Sequence, residues 1–306
     1  MVVRSKSTEV PVLLAHKQAA APDRAAQKIR AMQAPLFIVM PSKGRFFLQL
    51  KRLWEYRELL FFLSWRDVKV RYKQTTLGIL WAILQPLMTM VVFTILFGKL
   101  GQLPSDGIRY ALFTYTGLLP WQLFSSCLGA SANSLVRDQQ LITKVYFPRL
   151  VIPLSTVLVA LLDFSISFAV LLGMMVYYGT YPTTTGISLL PAFVLLGIAA
   201  SLAIGIWLAA LNVRYRDVQY TVPFLTQLWL FMTPIAYPTS LVPVEWRTIY
   251  SLNPMVGVIE GFRWALLGHM KPPVIAILVS ILMTSILLLG GLIYFRRSEA
   301  SFADVV

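Results

Sequence analysis

Charge is scarce in this 306-residue chain: only 13% of its residues are Asp, Glu, Lys or Arg. An ordinary soluble domain carries about a quarter, and a soluble core of this size would need a polar skin that these residues cannot supply. Cysteine is nearly absent. Cys127 is the one thiol, so neither a disulfide framework nor a thiolate metal site can be assembled. Two histidines, His16 and His269, are too few and too far apart for a metal centre. No Gly-x-x-x-x-Gly-Lys-Ser/Thr loop occurs. Gly98-Lys99 runs on into Leu100 without the upstream glycine, and the phosphate cradle by which a chain ordinarily binds ATP is missing. The His-Glu-x-x-His, Gly-x-Ser-x-Gly and paired-carboxylate patterns of membrane hydrolases and transferases are missing too. Glu245 and Glu260 read as separate helix-surface acids. Ion-coupled carriers place several ionisable groups within their spans, whereas here only Asp163 lies deep in one.

What the chain has is hydrophobic length. Fifty-seven per cent of its residues are apolar, and six runs reach the ~20 residues needed to cross the hydrocarbon as helix. They cover Gly78–Gly98, Tyr110–Asn133, Leu150–Tyr178, Ile187–Leu211, Tyr220–Tyr237 and Pro273–Phe295. No β-barrel alternation appears, so helices must satisfy the backbone in lipid. The expected fold is an all-α integral membrane protein with six transmembrane helices. Of 27 Lys and Arg, 15 lie in residues 1–77, against five acids. With apolar runs following at once, this is the basic flank of a membrane protein rather than a nucleic-acid surface. Residues 1–45 lack a signal peptide's apolar run and read as a disordered, basic cytoplasmic tail. With the amino-terminus inside, eleven near-membrane basic residues fall on the cytoplasmic side and five outside, which predicts both termini in the cytoplasm.

Three connections look structured. Over residues 46–77, Leu50, Leu53, Trp54, Phe61, Trp65, Val68 and Tyr72 recur at helical spacing, with Lys51, Arg52, Arg66 and Lys69 largely opposite. That pattern is a basic amphipathic helix lying in the membrane surface. Ser134–Phe147 is too polar to insert and too patterned for a slack loop, and reads as a short helix ended near Pro148. Pro243–Leu252 and Met255–Leu267 are apolar but too short to span. They read as two short outward-side helices, partly buried and broken by Asn253-Pro254. For Asp163 the plainer reading is a buried acid hydrogen-bonded within the helix bundle, near Ser165 or Ser167; the sharper one is a substrate or ion contact.

The run Leu63-Ser-Trp-Arg-Asp-Val-Lys-Val-Arg-Tyr-Lys-Gln-Thr-Thr-Leu-Gly-Ile-Leu-Trp-Ala-Ile-Leu-Gln-Pro-Leu87 resembles the start of the permease subunits of polysaccharide ABC exporters. These are the ABC-2 class, handling O-antigens, capsular polysaccharides and teichoic acids. Leu141–Arg149 is similar to that family's stretch after span two, Asn212–Tyr220 to its turn between spans four and five, and Phe295–Asp304 to its tail. The likeness covers residues 50 to 306, and makes 78–306 an ABC-2 type six-helix transmembrane domain. It implies a bacterial cytoplasmic (inner) membrane location and a homodimer of half-transporters over two copies of a nucleotide-binding ATPase subunit. No cofactor sits on this chain; ATP and Mg belong to that partner. The implied substrate is a lipid-linked polysaccharide. Trp54, Trp65, Arg66 and Arg71 would lie on the family's interface helix, and Arg137, Asp138, Gln139, Leu141 and Lys144 on the coupling helix that docks on the ATPase. The pair Pro243–Leu267 would form the outward gate helices, and spans one and five would line the path.

Sugar rings present apolar C–H faces that pack on aromatic side chains. Tyr220, Phe224, Gln227 and Phe231 share one face of span five, and Trp81, Gln85 and Thr89 one face of span one. They are the candidate channel lining, against the plainer reading of an interfacial aromatic belt, lipid contact or core packing. The rival functions are an ABC-2 permease for a drug or small lipid and, from another class, an integral membrane glycosyl- or acyltransferase.

Overall fold

The computed structural model describes residues 53–73, 78–268, 272–299 and 302. The tail expected over 1–45 and the two ends of the 46–77 segment lie outside the described residues. In chain order the helices are α1 (Arg57–Lys73), α2 (Gly78–Phe93), α3 (Tyr110–Arg137), α4 (Gln139–Lys144), α5 (Val151–Ser155), α6 (Val157–Tyr177), α7 (Thr184–Arg214), α8 (Val218–Phe231), α9 (Val244–Tyr250), α10 (Pro254–Leu267) and α11 (Val274–Glu299). A π-helical stretch, Thr94–Leu100, extends α2, and a 3₁₀ turn, Thr239–Leu241, precedes α9. No strand occurs among the described residues.

Among the described residues, four helical segments are long and apolar enough to cross a membrane: Ile79–Leu100, Val151–Tyr177, Thr184–Arg214 and Val274–Glu299. Their side faces are oily. On α11, Leu278, Leu282, Ile286, Leu289 and Ile293 are all exposed, a stripe that water would penalise and lipid would not. The second expected run forms a helix, α3, whose 28 residues include Thr114, Thr116, Gln122, Ser131 and Asn133. The fifth is shorter than the hydropathy suggests. α8 has 14 residues, about 21 Å of helix, and stops at Phe231 before Thr233-Pro234.

Helices α3 and α7 form the centre of the bundle, with α10 and α11 packed on α7. Small residues set this closeness: a Cβ on Gly205 of α7 would lie 2.8 Å from the Cβ of Ser131 on α3. At the other crossing, the Gly257 amide of α10 donates to Ser280 Oγ of α11 at 3.0 Å.

The aromatic stripe of α1, expected to lie against the membrane surface, faces out of the chain. Trp54, Phe61 and Trp65 are exposed, while Leu63, Ser64 and Val68 are buried, with Tyr56, Leu59 and Leu60 partly so. Leu60 and Leu63 lie nearer the opposite side of the helix, and it is this side that packs against α5 and α6. Two expectations are corrected. Ser134–Phe147 is not one helix. Ser134–Arg137 is the last turn of α3, Asp138 breaks the path, and α4 is only Gln139–Lys144. Finally, Glu260 is no surface acid. Almost all of α10, Glu260 included, is buried, whereas Glu245 on α9 is exposed. Asn253 caps α10 by accepting from the Met255 amide at 3.0 Å, Pro254 occupies its first turn, and Gly268 closes it in the left-handed region (φ 65°).

Candidate functional site

Two Arg-Asp dipeptides, far apart in sequence, meet where α1 crosses the α3–α4 junction. Arg66 reaches Asp138 at 2.8 Å and its own neighbour Asp67 at 2.9 Å. Arg137 reaches Asp67 at 2.6 Å and Asp138 at 3.2 Å. The four side chains therefore close a ring of alternating charge. Its acids are nearly buried, at 9% side-chain exposure, and its arginines half exposed, at 41% and 47%. Burial pulls the Arg66 guanidinium down, but hydrogen bonds and charges from Asp138 and Asp67 outweigh it and leave it above its ordinary value. A cavity of about 330 Å³ opens beside the ring, bordered also by Arg71 and Thr156.

Beyond the ring, α4 presents a polar platform. Gln139, Gln140, Thr143 and Lys144 are exposed and Leu141 is half-buried, while Ile142 and the following Phe147 anchor the segment in the core. The helix is thus anchored on one side and exposed on the other.

Asp163 of α6 is also tied to α1. Arg71 pairs with its carboxylate at 2.5 Å, and the Tyr72 hydroxyl donates to its other oxygen. Neither expected serine is its partner: Ser165 donates to the Leu161 carbonyl and Ser167 to that of Ala82. Burial pushes the Tyr72 phenol up, and the hydrogen bond to Asp163 adds to the shift. Gln85 borders the small cavity next to this acid, together with Gln122 and Ser126. Gln85 is thereby placed among polar groups, while Thr89 turns back to donate to the Gln85 carbonyl at 2.9 Å.

The remaining channel candidates sit on the chain's outer surface. Trp81 is 59% exposed, Tyr220 75% and Phe224 62%, and Gln227 is exposed beside them. Phe231 is half exposed and stacks on Phe93, ring centres 6.3 Å apart. That contact brings the far ends of α2 and α8 together. Trp81, Tyr220 and Phe224 are thus exposed on the chain, and Phe231 alone of these rings packs on a buried one.

Composition and spacing missed two features. Asp67 went unnoticed, although an Arg-Asp step repeated at 66–67 and 137–138 was visible. The second is Arg263, fully buried on α10. It reaches Glu260 at 3.3 Å and donates to the carbonyls of Ile235 and Phe113. A Glu and an Arg three apart in an otherwise apolar helix is the sequence sign of such a pair.

Comparison with known proteins places this architecture. The family model for the ABC-2 type transporter matches residues 58–267. The chain is 33% identical over 258 residues to an O-antigen export system permease protein of Myxococcus xanthus, covering 84% of this chain and 98% of that one. A permease of the same description from Klebsiella pneumoniae is 31% identical over 252 residues, 81% of this chain and 95% of its own length. A polysialic acid transport protein of Escherichia coli is 28% identical over 240 residues, 77% and 92%. With the family model matched from α1 to the end of α10, the chain belongs to the ABC-2 type transporter family.

Proposed function

We propose that this chain is the membrane subunit of an ATP-driven exporter that carries a lipid-linked polysaccharide of O-antigen, capsule or teichoic-acid type across the cytoplasmic membrane. The observation that carries the reading is the near end-to-end match to an O-antigen export permease, 98% of whose length is covered. Two structural features support it. The exposed polar face of α4 is a platform for a separate ATPase, which a chain without a phosphate-binding loop requires. The aromatic faces of α2 and α8 lie open on one chain, as they would if a second copy completed a path between them.

In this proposal all six apolar runs span, the two ends of the chain are cytoplasmic, and two copies stand over two ATPase subunits. α1 rests in the membrane surface on its exposed Trp54, Phe61 and Trp65. Transport works by differential affinity: ATP binding and hydrolysis in the partner shift α4, and the bundle exchanges one packing for another.

Deletion of the gene in its own host tests this. Surface polysaccharide is expected to disappear while the lipid-linked polymer accumulates inside. A partner ATPase with its phosphate-loop lysine replaced is expected to give the same phenotype. Unchanged surface polymer with raised sensitivity to a small toxic compound would move the assignment to a drug or small-lipid permease.

A further inference from the structure

We infer that α1 is an ionic relay between the ATPase-docking helix and the interior of the third span, and that Asp163, through Arg71, is the positioning residue at its membrane end. The inference rests on the exporter reading above and names which groups carry the movement. The helix is clamped twice on one uninterrupted stretch, Arg57–Lys73. Arg66 and Asp67 hold it to Arg137 and Asp138, the last residue of α3 and the step into α4. Five residues on, about 7.5 Å along the axis, Arg71 and Tyr72 hold it to Asp163 of α6.

Each clamp joins α1 to a different element, and this double attachment is what transmission requires. A helix tied at one point pivots; one tied at two points passes a displacement from the first partner to the second. The bonds are suited to the task. Both clamps use arginine, whose planar fork holds carboxylates in a defined direction. All three acids are largely shielded from water, at 9% side-chain exposure for Asp67 and Asp138 and 14% for Asp163. Shielding keeps the attraction from being screened to nothing. The far end also has somewhere to go. Gln85, Gln122 and Ser126 border a cavity of about 30 Å³ next to Asp163, so a carboxylate released from Arg71 has polar neighbours. An acid deep in an apolar helix is costly, and here two side chains from outside that helix hold it.

The test reads export per ATP hydrolysed in vesicles containing this chain and its ATPase. Asp163→Asn and Arg71→Gln are expected to leave complex assembly and ATP hydrolysis in place while export per ATP falls at least about fivefold. The exchanged pair, Arg71→Asp with Asp163→Arg, is expected to recover most of it. A merely structural role would lower protein amount, hydrolysis and export together with their ratio unchanged, and that result overturns the relay. If Asp163→Asn does not accumulate, Tyr72→Phe carries the test: it keeps the ring and removes the hydrogen bond, and an unchanged ratio there overturns the relay too. Failure of the exporter reading is distinguishable, because the unaltered complex would then export no polymer at all.

Discussion

The Arg263 guanidinium lies 3.6 Å from the centre of the Phe113 ring, in space that only Gly117 leaves open. The cation is fully buried, yet it is met on all sides: the ring face below, Glu260 beside it, and the Ile235 and Phe113 carbonyls at its edges. Ile235 belongs to the turn that ends α8, so one side chain of α10 ties the short fifth helix to α3. The last carbonyls of α8 find their own donors: Leu228 and Leu230 accept from the Met232 and Thr233 amides, Trp229 from the Thr233 hydroxyl and Phe231 from the Tyr237 hydroxyl.

Removing that tie should be severe. Arg263→Met is expected to cost about 3–5 kcal/mol, because it leaves the buried Glu260 carboxylate unpaired. Adding Glu260→Gln should recover part of the loss. Gly117→Ala, whose Cβ would fall 2.7 Å from the guanidinium, should cost about 1–3 kcal/mol by overpacking. Thermal unfolding in detergent measures all three. An undiminished melting temperature for Arg263→Met would contradict the pairing.

The ring of charge at the α1 crossing predicts a compensation pattern. Arg137→Glu with Asp138→Lys sets a carboxylate against Asp67 and an ammonium against Arg66, and export should fall about tenfold with insertion intact. Exchanging the partner signs as well, by Arg66→Glu with Asp67→Lys, should restore much of it. Recovery would be read from surface polymer. No recovery would mean that the docking face of α4, and not the ring, was damaged.

Orientation has its own measurement. In a Cys127→Ser background, cysteines at Ser105 and Thr183 should react with an impermeant reagent from outside, and one at Gln139 only after permeabilisation. Cys127 is itself fully buried, so the parent should label weakly. Labelling of Gln139 alone from outside would invert the topology.

The open aromatic faces separate path from lipid contact. Replacing Phe224 and Phe231 together by Leu keeps apolar bulk and removes flat rings for sugar stacking. Export should drop while protein level and ATP hydrolysis stay near normal. Both rings are more than half exposed, so stability should change by about 1 kcal/mol or less. Equal export by the double variant would take these rings out of the path.

The membrane class, the helical content, the broken helix pair at Asn253-Pro254 and the resemblance to a permease family were all legible in the sequence. They depend on local quantities: run length, proline and asparagine at a helix start, and the order of short motifs. The channel candidates were legible only as faces. Periodicity puts Tyr220, Phe224, Gln227 and Phe231 on one side of α8 but does not say what that side meets.

Tertiary structure decided the rest. On α1 it set which side packs: Leu60 and Leu63 meet α5 and α6, while Trp54, Phe61 and Trp65 stay exposed. It turned Glu260 and Arg263 from charges facing water into a buried pair, since α10 is enclosed by α3, α7 and α11. It gave Asp163 its partners from α1, 91 positions away at Tyr72, instead of from the serines beside it. Periodicity along a single helix reports what that helix can hide. Ion pairs across three helices depend on distances that only the packed chain sets.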